Sequence, residues 1–217
     1  IQDNLPRSAK TFYEKEAAER YALTLPFSKF KVSIPAAFSG GQNIYNELVR
    51  VLYHVKDVRD FNQLPIPFFC IATDVETGEE LLLDEGYLPE AIMASGTLPS
   101  LFEPMEVDGR ILVDGGVLNN YPVDEVRAMG ADLVIGVDVQ HGLRDRESLQ
   151  SATEILLQIN NYRTVGQMKE KAQRTDIYIR PEMDPYSVID FEMGDSIIRE
   201  GSQSAMKAWD ALQEVAA

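Results

Sequence analysis

The feature that most constrains the fold is a set of short apolar runs in which polar residues do not alternate with apolar ones. They span Phe68 to Thr73, Ile111 to Val113 and Leu133 to Val139. Such runs are typical of strands covered on both faces, and sheets covered on both faces are usually parallel, with helices on either side. The sequence therefore predicts an α/β fold, a three-layer sandwich with a mainly parallel central sheet.

Helical spacing and turn residues fill the chain around these strands. Asp108-Gly109 is a two-residue turn signal in front of Ile111, which indicates a hairpin. The other predicted elements are helices around Ile44 to Leu52, Leu88 to Ser95, Pro122 to Gly130, Leu149 to Ala172 and Asp195 to Val215, and a strand from Asp176 to Arg180. No repeat, low-complexity tract or linker interrupts the pattern, so residues 1–217 are predicted to form a single domain.

The charge of the chain argues against two classes of partner. With 20 basic and 35 acidic side chains the formal net charge is −15. This opposes binding to nucleic acid, because affinity for the phosphate backbone comes mainly from lysine and arginine. It also opposes a polybasic attachment to anionic lipid, so contact with a membrane would have to come from an apolar patch. Cys70 is the only cysteine and lies in an apolar run, which predicts a buried thiol and no intramolecular disulfide.

The segment from Met93 to Pro122 carries the most specific pattern. It contains Ala94-Ser95-Gly96-Thr97-Leu98-Pro99-Ser100-Leu101-Phe102-Glu103-Pro104 and then Asp114-Gly115-Gly116-Val117-Leu118-Asn119-Asn120-Tyr121-Pro122. This segment resembles the patatin-like phospholipases, in which a small-residue helix turn runs into Pro-x-x-Phe-x-Pro and an Asp-Gly-Gly lies at a strand end. Further stretches that resemble the bacterial branch of that family, in the family's order, are Ser39-Gly40-Gly41-Gln42, Cys70-Ile71-Ala72-Thr73-Asp74 and Gly130-Ala131-Asp132-Leu133-Val134-Ile135-Gly136-Val137-Asp138.

The resemblance implies a catalytic role for Asp114, because it matches the family's acidic partner of a catalytic serine. A serine hydroxyl is a poor nucleophile until a base within hydrogen-bond reach accepts its proton. In the family a carboxylate does this directly, without a histidine. Gly115 and Gly116 support the motif, because they leave no side chain to block a lipid ester or the approaching serine. The pattern does not identify substrate-binding residues.

Each of these residues also has a structural interpretation. Asp-Gly-Gly alone is typical of a tight turn after a strand, and only the surrounding motifs favour catalysis. Asp74 and Asp138 also end apolar strands, and we expect them to make capping or turn hydrogen bonds. His54 and His141 lack ligand spacing and are predicted to lie on the surface. The acidic residues form no ligand loop, so no metal and no cofactor is predicted.

Two parts of the family pattern are not found in this sequence. The nucleophile motif Gly-x-Ser-x-Gly and the glycine-rich oxyanion loop do not occur, and in the family's order both come before the region that begins this chain. We therefore expect the N-terminal strand and the nucleophile helix to be missing from this chain. We also expect the chain alone to be inactive, and to be poorly soluble or to self-associate. Met93 stands where bacterial relatives commonly carry arginine, so no polar contact of that arginine is carried over.

The resemblance implies that the complete protein is a lipid acyl hydrolase, of the phospholipase A, lysophospholipase or carboxylic ester hydrolase type, with a Ser-Asp dyad whose serine lies upstream. The alternative is a catalytically silent lipid-binding or scaffold module with the same architecture. A nucleotide-binding domain is disfavoured, because no Gly-x-Gly-x-x-Gly or Walker loop opens a helix. The implied partner is a lipid ester, met in transient contact with a membrane or micelle. The implied location is the bacterial periplasm or outer membrane, with downstream outer-membrane domains in some members and the cytoplasm as the alternative.

Overall fold

The protein is described by a computed structural model that covers residues 27–28, 31–32, 40–99, 101–150, 152–186 and 190–216. The chain divides into two compact units, Ile1–Gly115 and Gly116–Ala217. Each unit has its own sheet and its own core. The single domain and the three-layer arrangement expected for residues 1–217 stay predictions.

The first unit is built on an antiparallel sheet of four strands. Its elements are, in chain order, β1 (Phe27–Ser28), β2 (Lys31–Val32), α1 (Gln42–Val51), β3 (Cys70–Asp74), β4 (Glu80–Leu83), α2 (Leu88–Ser95), β5 (Met105–Val107) and β6 (Arg110–Asp114). The order of strands in the sheet is β4-β3-β6-β5, and all neighbours are antiparallel. Strands β1 and β2 form a separate antiparallel pair.

The direction of the four-stranded sheet differs from the mainly parallel sheet that the sequence predicts. Two of the three apolar runs do form neighbouring strands, β3 and β6, but they run antiparallel. The pairs β3–β4 and β5–β6 are joined by short turns, and strands joined in this way pair antiparallel. Asp108 and Gly109 have φ angles of 50° and 75°, the left-handed conformation that a two-residue hairpin turn requires, so the predicted hairpin is confirmed.

Helix α2 covers this sheet and closes the core of the first unit. It has Pro89 in its first turn, where a missing N–H removes no helical hydrogen bond. Ala94 is fully buried against Ala72 of β3 and Leu112 of β6. The apolar character of β3 and β6 therefore reflects their burial under a helix. A helix can cover an antiparallel sheet as well as a parallel one, so burial does not indicate strand direction.

The second unit contains a β–α–β arrangement. Its elements are, in chain order, α3 (Val123–Ala128), β7 (Ile135–Val137), α4 (Ala152–Gln173), β8 (Ile177–Ile179), α5 (Gly194–Lys207) and α6 (Trp209–Ala216). Strands β7 and β8 are parallel, with Val137 opposite Ile179, and α4 makes the long crossover that parallel strands need. The predicted strand from Leu133 to Val139 is thus real, but among the described residues it pairs with β8 in a sheet of two.

The helices of the second unit follow the sequence pattern with one exception. The predicted helix from Asp195 to Val215 is divided into α5 and α6 at Ala208, and nothing in the structure explains the break. Helix α4 is the longest of the helices described, with 22 residues. Within the described part of the chain, no helix combines the length and the apolar character needed to cross a membrane.

Neighbouring residues of β6 test which face of the sheet is covered. Leu112 is fully buried, whereas Ile111 is 46% exposed. Leu112→Ala should lower the free energy of unfolding by about 2–5 kcal/mol, the usual range for a truncated core leucine. Ile111→Ala, the control on the opposite face, should cost about 1 kcal/mol or less. Urea denaturation measures both values, and equal losses would contradict the burial pattern of β6.

Candidate active site

Asp114 is the last residue of β6, and its backbone is held on two sides. Its N–H donates to the carbonyl oxygen of Thr97 at 2.9 Å. Its carbonyl oxygen accepts a hydrogen bond from the hydroxyl of Thr73 at 3.1 Å, and it lies opposite Ala72 in the sheet. The residue as a whole is partly exposed. The backbone of Asp114 is thus held in place, while the residue as a whole is not fully enclosed by the protein.

Thr97 belongs to the small-residue turn that follows α2. Its side chain is completely buried, and its hydroxyl donates to the carbonyl oxygen of Met93 at 2.7 Å. The N–H of Gly96 bonds to the carbonyl oxygens of Ile92 and Met93 at 3.1 and 3.2 Å, which ends the helix. The hydrogen bond between Asp114 and Thr97 therefore brings the two halves of the sequence motif, Ala-Ser-Gly-Thr and Asp-Gly-Gly, into direct contact.

Gly115 has a steric reason to be glycine. It is buried and begins the 3₁₀ turn Gly115–Val117, which also contains Gly116. A Cβ atom built on Gly115 would overlap the backbone carbonyl of Ile71 and come within 2.9 Å of the Ile71 Cβ. Backbone of a packed strand cannot give way as the end of a flexible side chain can, so any side chain at this position would force β3 and the turn apart.

Met93 fills core space in the first unit. It is buried, and its side chain lies against Gly41, which has a φ of 71° and precedes α1. A Cβ atom on Gly41 would overlap the Met93 methyl group and lie 3.6 Å from the ring of Phe102. Met93 is therefore an apolar packing residue.

Asp74 ends β3 and is used in the turn that follows. It is only 3% exposed. Its Oδ1 accepts hydrogen bonds from the backbone N–H groups of Glu76 at 2.9 Å and Thr77 at 3.3 Å. Its Oδ2 lies 3.5 Å from the guanidinium of Arg110. The predicted turn role of Asp74 is confirmed.

Asp138 follows β7 and makes a similar turn in the second unit. It is 4% exposed, and its Oδ1 accepts a hydrogen bond from the N–H of Gln140 at 2.9 Å. Its Oδ2 accepts from the hydroxyl of Tyr178 at 2.5 Å. Burial is the largest cause that raises the pKa of Tyr178 to about 12, and this hydrogen bond is the second. The phenol therefore stays protonated at neutral pH. The predicted turn role is confirmed, within a polar network that the sequence pattern did not indicate.

The two histidines differ in exposure. His54 is exposed, as predicted, with its Nδ1 3.0 Å from the carbonyl oxygen of Val51. His141 is half-buried instead, and this burial, with the nearby charge of Arg144, lowers its pKa. In the part of the chain that the structure describes, no group of three His, Cys, Asp or Glu residues is arranged to hold a metal ion.

A cleft of about 410 Å³ lies in the first unit, beside β4 and the start of α2. Its lining includes Arg59, Tyr87 and Glu90. The guanidinium of Arg59 lies over the ring of Tyr87, 5.2 Å from its centroid. Asp114 does not line this cleft, and we assign the cleft no role in the candidate site.

The two threonines that hold Asp114 were not predicted from the sequence. Thr97 lies inside the matched motif, which was the available signal, but the motif does not indicate that its carbonyl oxygen is the acceptor. Thr73 is 41 positions away from Asp114. A contact over that separation leaves no local pattern in a single sequence.

The family model for patatin-like phospholipases matches residues 3–127, more than half of the chain. The match includes Asp114, Gly115 and Gly116 together with the small-residue turn after α2. This chain, an α/β protein with an aspartate fixed at a strand end, therefore belongs to the patatin-like phospholipase family.

Relatives come from bacteria and from eukaryotes. An uncharacterized NTE family protein of Mycobacterium tuberculosis is 39% identical over 93 residues, which cover 42% of this chain and 26% of that protein. Patatin-like phospholipase domain-containing protein 7 of Mus musculus is 29% identical over 209 residues, covering 82% of this chain and 15% of that protein. A lysophospholipase of Candida glabrata is 28% identical over 174 residues, which cover 69% of this chain and 10% of that protein. The chain thus spans between 10% and 26% of the length of these relatives.

Gly115→Ala tests the close approach of the Asp-Gly-Gly turn to β3. We expect it to lower the free energy of unfolding by about 1–3 kcal/mol, because the new methyl group would overlap the Ile71 carbonyl. Gly142→Ala is the matched control, since a Cβ there would meet no atom within 4 Å, and it should change stability by about 0.5 kcal/mol or less. Urea denaturation that gives the same stability for both variants would rule out the close approach.

Cys70 provides a test that depends on pH. Its thiol lies 3.4 Å from the carbonyl oxygen of Ala91, and burial raises its pKa from 9.0 to about 11. Only the thiolate is nucleophilic, so at about pH 8 alkylation by iodoacetamide should be about a hundredfold slower than in the urea-unfolded chain. The rate should continue to rise until the pH passes about 11. Mass spectrometry follows the reaction, and equal rates in the folded and unfolded chains would show that the thiol is not buried.

Proposed function

We propose that this chain supplies the general base of a lipid acyl hydrolase. The carboxylate of Asp114 accepts the proton of a serine hydroxyl, and that serine lies in a segment of the parent protein outside these 217 residues. The serine oxygen attacks the ester carbonyl of a lipid, and backbone N–H groups of a glycine-rich loop in the same segment stabilise the oxyanion. Asp114 then returns the proton to the leaving alcohol, and water hydrolyses the acyl enzyme. These proton transfers require no metal and no cofactor.

The observation that supports this role best is how firmly the backbone of Asp114 is held. A general base has to lie within about 2.6–3.2 Å of the group whose proton it accepts. The hydrogen bonds to Thr97 and from Thr73 fix the Asp114 backbone on both sides. The close approach of Gly115 to β3 fixes the turn that follows. A backbone held in this way limits how far the carboxylate can move between catalytic cycles.

Exposure also distinguishes Asp114 from the two other aspartates that end strands. Asp74 and Asp138 are 3% and 4% exposed, whereas Asp114 is partly exposed. A carboxylate enclosed in its own turn leaves no space for a substrate. Of the three, Asp114 is the residue that a serine and an ester can approach.

Membership of the patatin-like phospholipase family supports a lipid ester as the substrate. One relative is named a lysophospholipase, and we extend hydrolysis of lipid esters to the parent of this chain on that basis. The net charge of −15 opposes a lasting attachment to anionic lipid. We therefore propose a transient, apolar contact with a membrane or micelle.

Asp114→Asn in the complete parent protein tests the proposed base. Asparagine keeps the shape of the side chain but does not accept a proton. We expect kcat to fall by at least ~10²–10⁴-fold, while the free energy of unfolding stays within about 1 kcal/mol of the wild-type value. Hydrolysis of a short-chain p-nitrophenyl ester measures kcat, and urea denaturation measures stability. The 217-residue chain alone should hydrolyse no ester above background.

Asp74→Asn and Asp138→Asn are the matched controls, because both residues also lie at strand ends and accept hydrogen bonds from the turns that follow. Each should keep a kcat within a few-fold of wild type, at a cost in stability of about 1 kcal/mol. If Asp114→Asn is as active as these controls, Asp114 is not the base. A parent protein in which a fluorophosphonate labels no serine would support the silent lipid-binding module instead.

A further inference from the structure

The second unit has a cleft of about 400 Å³, which is within the usual size of small-molecule sites. Asp138 directly follows β7, Arg180 directly follows β8, and both residues line the cleft. Because β7 and β8 are parallel, these two residues lie at the same edge of the sheet. The crevice outside the carboxyl ends of parallel strands is where α/β proteins bind ligands.

The charge of this cleft is opposite to that of the whole chain. Its lining has the cations Lys169 and Arg180 and a single carboxylate, Asp138. That carboxylate already accepts hydrogen bonds from the N–H of Gln140 at 2.9 Å and the hydroxyl of Tyr178 at 2.5 Å. The chain carries a net charge of −15, so a cleft with more cations than anions is a local exception. An anionic ligand is attracted to it, and a cationic one is not.

Both cations can bind a ligand without first losing a strong contact. The side chain of Arg180 is 55% exposed and lies 4.0 Å from Oδ2 of Asp138, which is longer than a hydrogen bond. Lys169 is exposed on α4. In the residues that the structure covers, its ammonium group makes no hydrogen bond or ion pair.

Part of the cleft lining is apolar. It is formed by Val165, Met168 and Ala172 of α4. Their spacing of three and four residues places them on one face of the helix. A ligand that fits this cleft therefore needs an anionic group for the cations and an aliphatic part for the helix face.

We propose that this cleft binds a small amphipathic carboxylate. Its carboxylate group is bound by Lys169 and Arg180, and its short aliphatic part packs against Val165, Met168 and Ala172 of α4. Arginine suits this role, because its planar guanidinium donates two parallel hydrogen bonds to a carboxylate. The binding is noncovalent and does not depend on the role of Asp114.

Isothermal titration calorimetry of the full chain with octanoate tests this proposal. Acetate carries the charged group alone, and 1-octanol carries the aliphatic chain without the charge. We expect octanoate to bind one site at least about tenfold more tightly than either control, and more weakly as salt is added, because salt screens exposed charges. If 1-octanol binds as tightly as octanoate, or if acetate does, the proposal is wrong.

Charge variants locate the site. Lys169→Gln and Arg180→Gln should each weaken octanoate binding by about tenfold, the usual effect of losing one charge-assisted hydrogen bond. Lys207→Gln is the matched control, because Lys207 is exposed at the end of α5 and does not line the cleft. Circular dichroism checks the fold of each variant. If Arg180→Gln does not fold, the octanoate affinity of Lys169→Gln tests the proposal, because Lys169 is exposed. Unchanged octanoate affinity in Lys169→Gln, or an equal loss in Lys207→Gln, would overturn the proposal.

Discussion

The hydrogen bond from the N–H of Asp114 to the carbonyl oxygen of Thr97 connects the two elements on which the candidate site depends. It joins the end of β6 to the turn that follows α2. Next to it, Ala94 of α2 packs against Leu112 of β6. A shift of the helix along the sheet would break the hydrogen bond and open the packed contact together. The position of Asp114 therefore depends on the packing of α2, and not only on its own strand.

The positions of β3, β6, β7 and β8 could be predicted from the sequence, but the antiparallel pairing of β3 with β6 could not. An apolar run such as Phe68 to Thr73 records that a strand is buried, and β3 is found there. Strand direction leaves no mark in such a run. Direction is signalled where a turn is local, as at Asp108-Gly109, which correctly indicated that β5 and β6 form a hairpin. The pairing of β3 with β6 joins segments far apart in the sequence, so no local pattern reports it.

The candidate site shows the same division between local and distant contacts. Asp114 and Gly115 were found from the motif because they are adjacent and match a family pattern. The reason for Gly115 is the backbone carbonyl of Ile71, which belongs to another strand. The family resemblance could thus identify Gly115, but only the structure explains why a larger residue does not fit at this position. The supporting hydroxyl of Thr73 has a distant partner of the same kind.

The three aspartates that end strands differ in how they are anchored, and this difference bears on the general base proposed at Asp114. Asp74 and Asp138 hold their turns with their own side chains, each accepting a hydrogen bond from the N–H two residues further on. Their carboxylates are therefore already used within their own turns. Asp114 is anchored through its backbone N–H and carbonyl groups, and these hydrogen bonds remain when the side chain gains a proton. A general base is protonated and deprotonated in every cycle, so anchoring through the backbone favours Asp114 as the proposed base over the other two aspartates.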